Sequence, residues 1–241
     1  MYIDTIYMLF ISPPFGNYIN INNAKSISGS YTLHPREGLI SQIFKTLRFS
    51  QYHNGWINKI GLRNKGIDWA LSNVSENKIL SVAILDPKDI PIILKKIPEN
   101  RDIEINVSCP NAEKKMVSEG ISKFINPKRK WCIIKISPSA TEFDIDNYYN
   151  MGFRQFHCCN TIPVTNGGLS GPALIPYTTE KIVYLKSKYK DVSVIAGGGI
   201  RYINDIYHYK SIGANHFSVS TLLFNPLLFA SFMYDFINSK Q

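Results

Sequence analysis

Short apolar runs rich in β-branched residues recur along the chain, and longer stretches with helical periodicity separate them. This alternation is typical of βα units, in which helices connect the parallel strands of one sheet. Eight of the runs have the length and composition of strands. They lie at residues 6–11, 26–32, 79–85, 103–107, 132–136, 155–160, 192–196 and 217–221.

Helix-forming stretches lie between the later strands, and capping residues mark several of their ends. Thr141 precedes one stretch with Asp144 three residues on, and Asn225 precedes the last stretch; both are residue types that cap helix N-termini. Gly152 and Gly213 follow two other stretches, where glycine commonly ends a helix. The pattern predicts helices at residues 87–96, 142–151, 177–189, 203–211 and 226–238.

Eight strands in a chain of 241 residues fit a (β/α)8 barrel (TIM barrel), a fold of about 250 residues. A doubly wound open sheet is the alternative. No linker, repeat or low-complexity tract divides the chain, so we predict a single domain over residues 1–241. The first two strands are too close for an ordinary crossover of a dozen or more residues. We therefore expect the first crossover helix to be missing.

The composition narrows the class of protein further. The chain carries 27 Lys and Arg against 18 Asp and Glu, a net charge of +9, which favours anionic ligands such as phosphates. Its four cysteines, Cys109, Cys132, Cys158 and Cys159, lack C-x-x-C spacing, so we expect free thiols in a reducing compartment. No apolar run has the length of a membrane span, and no signal peptide is evident. The expected location is cytoplasmic.

The most distinctive chemistry lies at residues 106–111, Asn-Val-Ser-Cys-Pro-Asn, where a predicted strand ends. Pro110 disfavours helical geometry at Cys109 and holds its thiol in a turn. This turn lies at the carboxyl end of the strand, where barrel active sites are found. The alternative is an asparagine-rich turn around a buried structural thiol.

Two further strands carry polar residues toward the same end of the barrel. Lys135 interrupts an apolar strand, and a buried lysine is costly unless an anion or a strong acceptor meets it. A lysine whose charge reaches solvent at the edge is the alternative. In the next strand, alternation places Phe156, Cys158 and Asn160 on one face and makes core filling the expected role of Cys158 and Cys159.

Glycines and hydroxyls follow the last two predicted strands. Gly-Gly-Gly-Ile at 197–200 comes after the seventh strand, and Ser220 and Thr221 close the eighth. Barrels bind phosphate at this position, with backbone N–H groups beside helix N-termini. Gly-Gly-Leu-Ser-Gly at 167–171 either adds donors to this pocket or forms a flexible lid.

Several segments together resemble the dihydroorotate dehydrogenases in order and spacing. The resemblance covers about residues 26–237, and the Asn-x-Ser-Cys-Pro-Asn segment is its most specific part. The other matching segments are Thr-Leu-His-Pro-Arg-Glu-Gly at 32–38, residues 58–66, Lys-Ile-Ser-Pro at 135–138, Asn-Thr at 160–161, residues 167–172, 198–200 and 213–214.

The resemblance implies an FMN-containing barrel that oxidises dihydroorotate to orotate in pyrimidine biosynthesis. Cys109 would be the base that takes a proton from substrate C5, while hydride passes from C6 to flavin N5. Lys135 would stabilise negative charge at N1 and C2=O of the flavin. The substrate would be bound by Asn58, Gly61, Leu62, Asn106, Asn111, Asn160 and Thr161. The cofactor would be bound by Ser28, Ser30, Lys135, Gly171, Gly198, Gly199, Ser220 and Thr221.

The asparagines suit such a substrate on chemical grounds as well. One edge of a cyclic diimide alternates carbonyl and N–H groups, and an asparagine amide offers a donor and an acceptor that match them. Asn58, Asn106, Asn111 and Asn160 can therefore hold the ring without adding charge. No metal site is expected.

One departure from the family pattern concerns a lysine. Aligned on residues 32–38, the family's flavin- and substrate-contacting lysine falls on Gly29. Lys25 lies four residues earlier, about 13 Å along an extended strand, too far to replace it. A cysteine at 109 points to the soluble class of the family. The electron acceptor (fumarate, NAD or quinone) stays open.

Two other functions remain in view. A noncatalytic FMN-binding barrel is suggested by Gly29 and the missing helix. A tRNA-dihydrouridine synthase would use the basic surface, but its motif has glycine where this chain has Ser108, and it needs a helical RNA-binding domain after the barrel. We expect a small-molecule partner, neither membrane nor nucleic acid, and leave a homodimer open.

Overall fold

The computed structural model describes residues 7–107 and 120–239. Twelve strands lie within these ranges. In chain order they are β1 (Leu9–Ile11), β2 (Ala24–Tyr31), β3 (Arg48–Ser50), β4 (Gly55–Asn58), β5 (Ile79–Ala83), β6 (Ile103–Asn106), β7 (Cys132–Lys135), β8 (Gln155–Cys158), β9 (Ile162–Val164), β10 (Gly167–Ser170), β11 (Ser193–Gly197) and β12 (His216–Val219).

Eight parallel strands close into a barrel in the order β1-β12-β11-β8-β7-β6-β5-β2. They are the eight strands predicted from the sequence. The predicted barrel is therefore confirmed, and the alternative of an open sheet is wrong. The observed strands differ from the predicted ranges by up to three residues at an end. Because all eight are parallel, their carboxyl ends meet at one mouth.

Seven α-helices lie wholly within the described residues. Thr141 and Asp144 form the expected capping box, and the Asn225 side chain accepts a hydrogen bond from the backbone N–H of Leu228. The helices are α1 (Leu39–Thr46), α2 (Gly66–Asn73), α3 (Asp89–Lys96), α4 (Glu142–Asn150), α5 (Ile175–Lys188), α6 (Ile203–Ser211) and α7 (Pro226–Asn238). None of the described helices is long and apolar enough to cross a bilayer.

The first crossover helix is missing, as expected. A single 3-10 turn, Phe15–Asn17, lies between β1 and β2. The Asn17 side chain accepts hydrogen bonds from the Ser28 hydroxyl at 3.1 Å and from the Gly29 N–H at 2.8 Å. The short connection is thus tied to β2 by an asparagine rather than by a packed helix.

A second sheet, in the order β3-β4-β10-β9, was not predicted. Its strands pair antiparallel, and β10 lies between β4 and β9. The segment at 167–171, interpreted from the sequence as phosphate donors or a flexible lid, is therefore mostly strand β10. It pairs with β4 and holds the end of β4 in place.

Alternation along the strands divides the barrel into two environments. One set of side chains packs between strands and helices, where Phe156 and Cys158 lie. The other set points inward, with an apolar lower layer that includes Phe10, Ile27 and Ile133. Above this layer the inward positions are polar, which places the chemistry of the interior at the mouth.

Candidate active site

A cavity of about 2210 Å³ opens at the mouth of the barrel. It is bounded by residues that follow β1, β2, β7, β8, β11 and β12, by the end of β6 and by the second sheet. Most of the residues predicted to bind substrate or cofactor line it: Asn58, Gly61, Leu62, Asn106, Asn160, Thr161, Ser30, Lys135, Gly171, Gly198, Gly199, Ser220 and Thr221.

Three predicted site residues are not among these. Ser28 is buried, and its hydroxyl bonds to the Asn17 side chain and to the hydroxyl of Tyr31, at 3.1 and 3.0 Å. It does not line the cavity, which Gly29 and Ser30 border instead, because the register of β2 against β5 shifts between Ser28 and Tyr31. Cys109 and Asn111 lie outside the described residues.

Lys135 stands at the inner face of the mouth and is mostly buried, with 9% of its surface exposed. Its Nζ is 4.0 Å from Oε1 of Glu104, a carboxylate with no exposed surface. Burial alone would raise the pKa of Glu104, but Lys135, His157 and Ser81 together lower it to about 2. The carboxylate is therefore ionised and serves as the buried counter-ion of Lys135.

His157 binds the other oxygen of the same carboxylate. Its Nδ1 is 2.6 Å from Oε2 of Glu104, and the ring is 1% exposed. Burial and then the charge of Lys135 lower the pKa of His157, while Glu104 raises it less. The site consequently pairs one buried anion with one cation and a neutral imidazole.

A chain of hydroxyl groups connects Glu104 to Asn106. Ser81 donates to Oε1 of Glu104 at 2.8 Å, and the hydroxyls of Ser30 and Ser81 are 2.8 Å apart. Because the single proton of Ser81 goes to the carboxylate, Ser30 donates to Ser81 and accepts from Asn106 Nδ2 at 2.9 Å. The carboxylate thereby fixes which way the Asn106 amide points.

The second sheet positions Asn58, at the end of β4, opposite Gly168 of β10. Thr161 precedes β9, so both residues reach the cavity from this sheet. The predicted sharing of one face by Phe156, Cys158 and Asn160 is wrong for Asn160. Strand β8 ends at Cys158, and Asn160 turns into the cavity while Phe156 and Cys158 pack under the helices.

The loops after β11 and β12 have the arrangement expected for a phosphate. Gly198 and Gly199 follow β11, and Ser220 and Thr221 follow β12, all at the cavity. Backbone N–H groups and the Thr221 hydroxyl suit a phosphate, whereas the Ser220 hydroxyl already donates to the Pro13 carbonyl oxygen at 2.7 Å. Lys135 suits a ring system that gains negative charge. This set of donors fits flavin mononucleotide.

Gly29 borders the cavity beside Ser30, and its backbone leaves no room for a side chain. Its φ is +131°, and a Cβ built there would lie 2.4 Å from the backbone oxygen of Ser81. Lys25, as expected, does not take the place of a lysine here. Its Nζ is 3.4 Å from Asp102, a residue that precedes β6 and so lies at the opposite end of the barrel.

We expect Gly29→Ala to lower the free energy of unfolding by about 3 kcal/mol, since it adds backbone strain to a steric clash. Gly61→Ala is the matched control. Gly61 also has a positive φ, +69°, but a Cβ there meets nothing closer than 4.0 Å. Gly61→Ala should therefore lower the free energy of unfolding by only about 1 kcal/mol. Urea unfolding measures both variants, and equal losses would contradict the close approach at Gly29.

Sequence reasoning missed the partners of Lys135. Glu104 and His157 each interrupt an apolar strand, in Ile-Glu-Ile and Phe-His-Cys, which is the signal that identified Lys135. It also missed Trp56, which stacks on Phe224 at the cavity with ring centroids 4.3 Å apart. The segments carrying these two aromatic residues gave no clear pattern.

Comparison with solved structures supports the fold class. Ligand-free DHODH from Eimeria tenella has a TM-score of 0.68 and 19% identity, over 95% of this chain and 83% of that one. The complex of Eimeria tenella DHODH with ferulenol has a TM-score of 0.63 and 20% identity, over 88% and 74% of the two chains. The protein thus has the barrel fold of these structures.

Sequence comparison identifies the family. The catalytic subunit of dihydroorotate dehydrogenase B (NAD(+)) from Petrotoga mobilis is 31% identical over 240 residues, 81% of this chain and 75% of that protein. The protein of the same name from Thermotoga maritima is 26% identical over 257 residues, 90% and 93% of the two chains. No protein-family model matches the chain. The chain belongs to the dihydroorotate dehydrogenase family of oxidoreductases.

Proposed function

We propose that this protein catalyses the flavin-dependent oxidation of dihydroorotate to orotate in pyrimidine biosynthesis, with FMN as the cofactor and in the cytoplasm. The observation that carries the proposal is the convergence of Lys135, Asn106, Asn160 and Asn58 on one cavity at the barrel mouth. The relatives named dihydroorotate dehydrogenase B support the same substrate and favour this function over a tRNA-modifying reductase.

Each residue has a role that its chemistry allows. The amides of Asn58, Asn106 and Asn160 hold the carbonyl and N–H edge of the pyrimidine ring, together with Asn111. Lys135 provides fixed positive charge where negative charge develops. Cys109 takes the proton from substrate C5, a role carried over from the family motif at 106–111.

FMN would be held by Lys135 and Ser30 at its ring and by Gly198, Gly199, Ser220 and Thr221 at its phosphate. When bound, it supplies the acceptor for the hydride that leaves the substrate. Glu104, His157 and Lys135 are almost fully buried, so the charges and hydrogen bonds at this end of the site are only weakly screened by solvent.

Anaerobic mixing with dihydroorotate tests the proposal. We expect the purified, FMN-reconstituted protein to be yellow and to bleach on mixing. Cys109→Ser should slow bleaching at least about 10²-fold, the usual contribution of a positioned base. Stopped-flow absorbance measures both rates.

Cys132→Ser is the matched control for the thiol. Cys132 lies on the outside of β7, where its thiol is 3.5 Å from the Phe124 carbonyl oxygen and burial raises its pKa to about 12. This variant should bleach at the wild-type rate. Failure to take up FMN would refute the flavoenzyme, and equal rates for wild type and Cys109→Ser would refute the role of Cys109.

A second candidate function is a flavin-binding barrel without activity. The specific observation in its favour is Gly29, whose close approach to Ser81 removes the position of the family lysine. A protein that binds FMN but does not bleach with dihydroorotate would establish this second function.

A further inference from the structure

His157 carries a nitrogen for which the proposed reaction has no use. Its Nδ1 is bound to Glu104, and no described residue forms a hydrogen bond with its Nε2. The residue lines the cavity. A Cβ built on Gly197 would lie 2.7 Å from Nε2, so the glycine on the neighbouring strand β11 is what leaves this nitrogen uncovered.

The partner of Nδ1 fixes the tautomer of the ring. An ionised carboxylate can only accept hydrogen bonds, so Nδ1 carries the proton that it donates to Oε2 of Glu104. A neutral imidazole has a single N–H. Nε2 is therefore an unprotonated acceptor, held at the level of Lys135 because the two residues pair across β7 and β8.

We propose that Glu104 and His157 form a buried dyad that presents Nε2 to the cavity, and that Nε2 takes up one proton from water when hydride transfer adds negative charge beside Lys135. The hydride carries its two electrons and its hydrogen to the flavin. The new bond at His157 is an N–H bond, made with a separate proton that leaves again on reoxidation. This inference rests on the proposed flavin function.

The groups around the ring give the direction of the effect. Among the residues that the structure describes, Glu104 on β6 and Lys135 on β7 are the charged side chains that face it, while Ser81 on β5, Gly197 on β11 and Ser218 on β12 do not titrate in this range. Burial and Lys135 keep the pKa of His157 low before reduction. Negative charge added nearby favours the protonated imidazole and so raises the pKa of His157.

The tautomer is measured first, by 15N NMR of histidine-labelled protein with and without FMN. We expect a neutral ring protonated at Nδ1 in the wild type. In Glu104→Gln the amide donates to Nδ1, so the proton should move to Nε2. A wild-type ring protonated at Nε2 would overturn the dyad whether or not flavin binds.

Proton uptake is measured next, by a pH indicator during reduction of the FMN-bound protein with dithionite. Near neutral pH, the wild type should take up close to one proton more per flavin than His157→Gln. This difference should vanish at pH values below the pKa of His157 before reduction and above its pKa after reduction. Equal uptake by the two proteins would overturn the proposal.

His216→Gln is the control for losing a buried histidine. His216 lies at the other end of the barrel interior, against Phe10 and Trp131, and its loss should leave proton uptake unchanged. If His157→Gln does not fold, Glu104→Gln replaces it and should also lose the excess. Failure to bind FMN would refute both the proposed function and the proton uptake. The NMR measurement of the tautomer would still show whether Glu104 and His157 form the dyad.

Discussion

Lys135→Met should slow reduction of the bound flavin by dihydroorotate by about 10²- to 10³-fold, the usual cost of removing one group aimed at developing charge. Lys135 lines the cavity and is mostly buried, and its Nζ is 4.0 Å from Oε1 of Glu104. Methionine keeps the length of the side chain and removes the charge. Stopped-flow absorbance under anaerobic conditions measures the rate.

The same variant leaves Glu104 as an uncompensated buried anion, which costs about 3–5 kcal/mol. Slow bleaching could then reflect a damaged fold. The double variant Lys135→Met with Glu104→Gln separates the two effects, because it removes both charges. We expect it to regain stability but not rate. Recovery of the rate would show that Lys135 matters only as the partner of Glu104.

Glu104→Gln should lower the free energy of unfolding at pH 7 by on the order of 3 kcal/mol, from the drop in the pKa of Glu104 from 4.5 to about 2. Since the folded-state pKa is the lower one, the carboxylate contributes its full stability above pH 4.5. That contribution is lost as the pH falls toward 2. Glutamine resembles the protonated acid, so the difference from wild type should shrink over this range.

Glu99→Gln is the matched control for this measurement. Glu99 also pairs with a lysine, Lys128, but both side chains are about two-thirds exposed. Solvent screens such a pair, so its removal should leave the unfolding midpoint in urea unchanged at every pH. A difference between wild type and Glu104→Gln that did not depend on pH would contradict the assignment of an ionised Glu104.

The barrel could be predicted from the sequence because each of its strands is an apolar run with its own local signal. The second sheet could not, since β3, β9 and β10 are short and partly exposed. Their pairing depends on residues far apart in the chain: Asn58 of β4 lies opposite Gly168 of β10. No local pattern encodes such a contact.

Site residues that lie at the end of a strand could be predicted from the sequence. Site residues that lie within a strand were harder to recognise. Asn106, Lys135 and Ser220 follow the rule that the carboxyl ends of barrel strands carry the chemistry. Glu104 lies two residues before the end of β6, where alternation alone turns it inward. Its importance comes from what other strands bring to it, and a single strand does not show this.

The closure of the barrel also bears on how the chain reaches its native state. Strand β1 pairs with β12, so that Leu9 lies beside Phe217. On the ribosome, one edge of β1 stays without its partner until β12, the last strand of the barrel along the chain, has been synthesised. Contacts between residues so distant in sequence slow folding, and an unpaired edge invites association with other chains. Production of this protein should therefore benefit from slow synthesis and from chaperones that cover the nascent amino-terminal half.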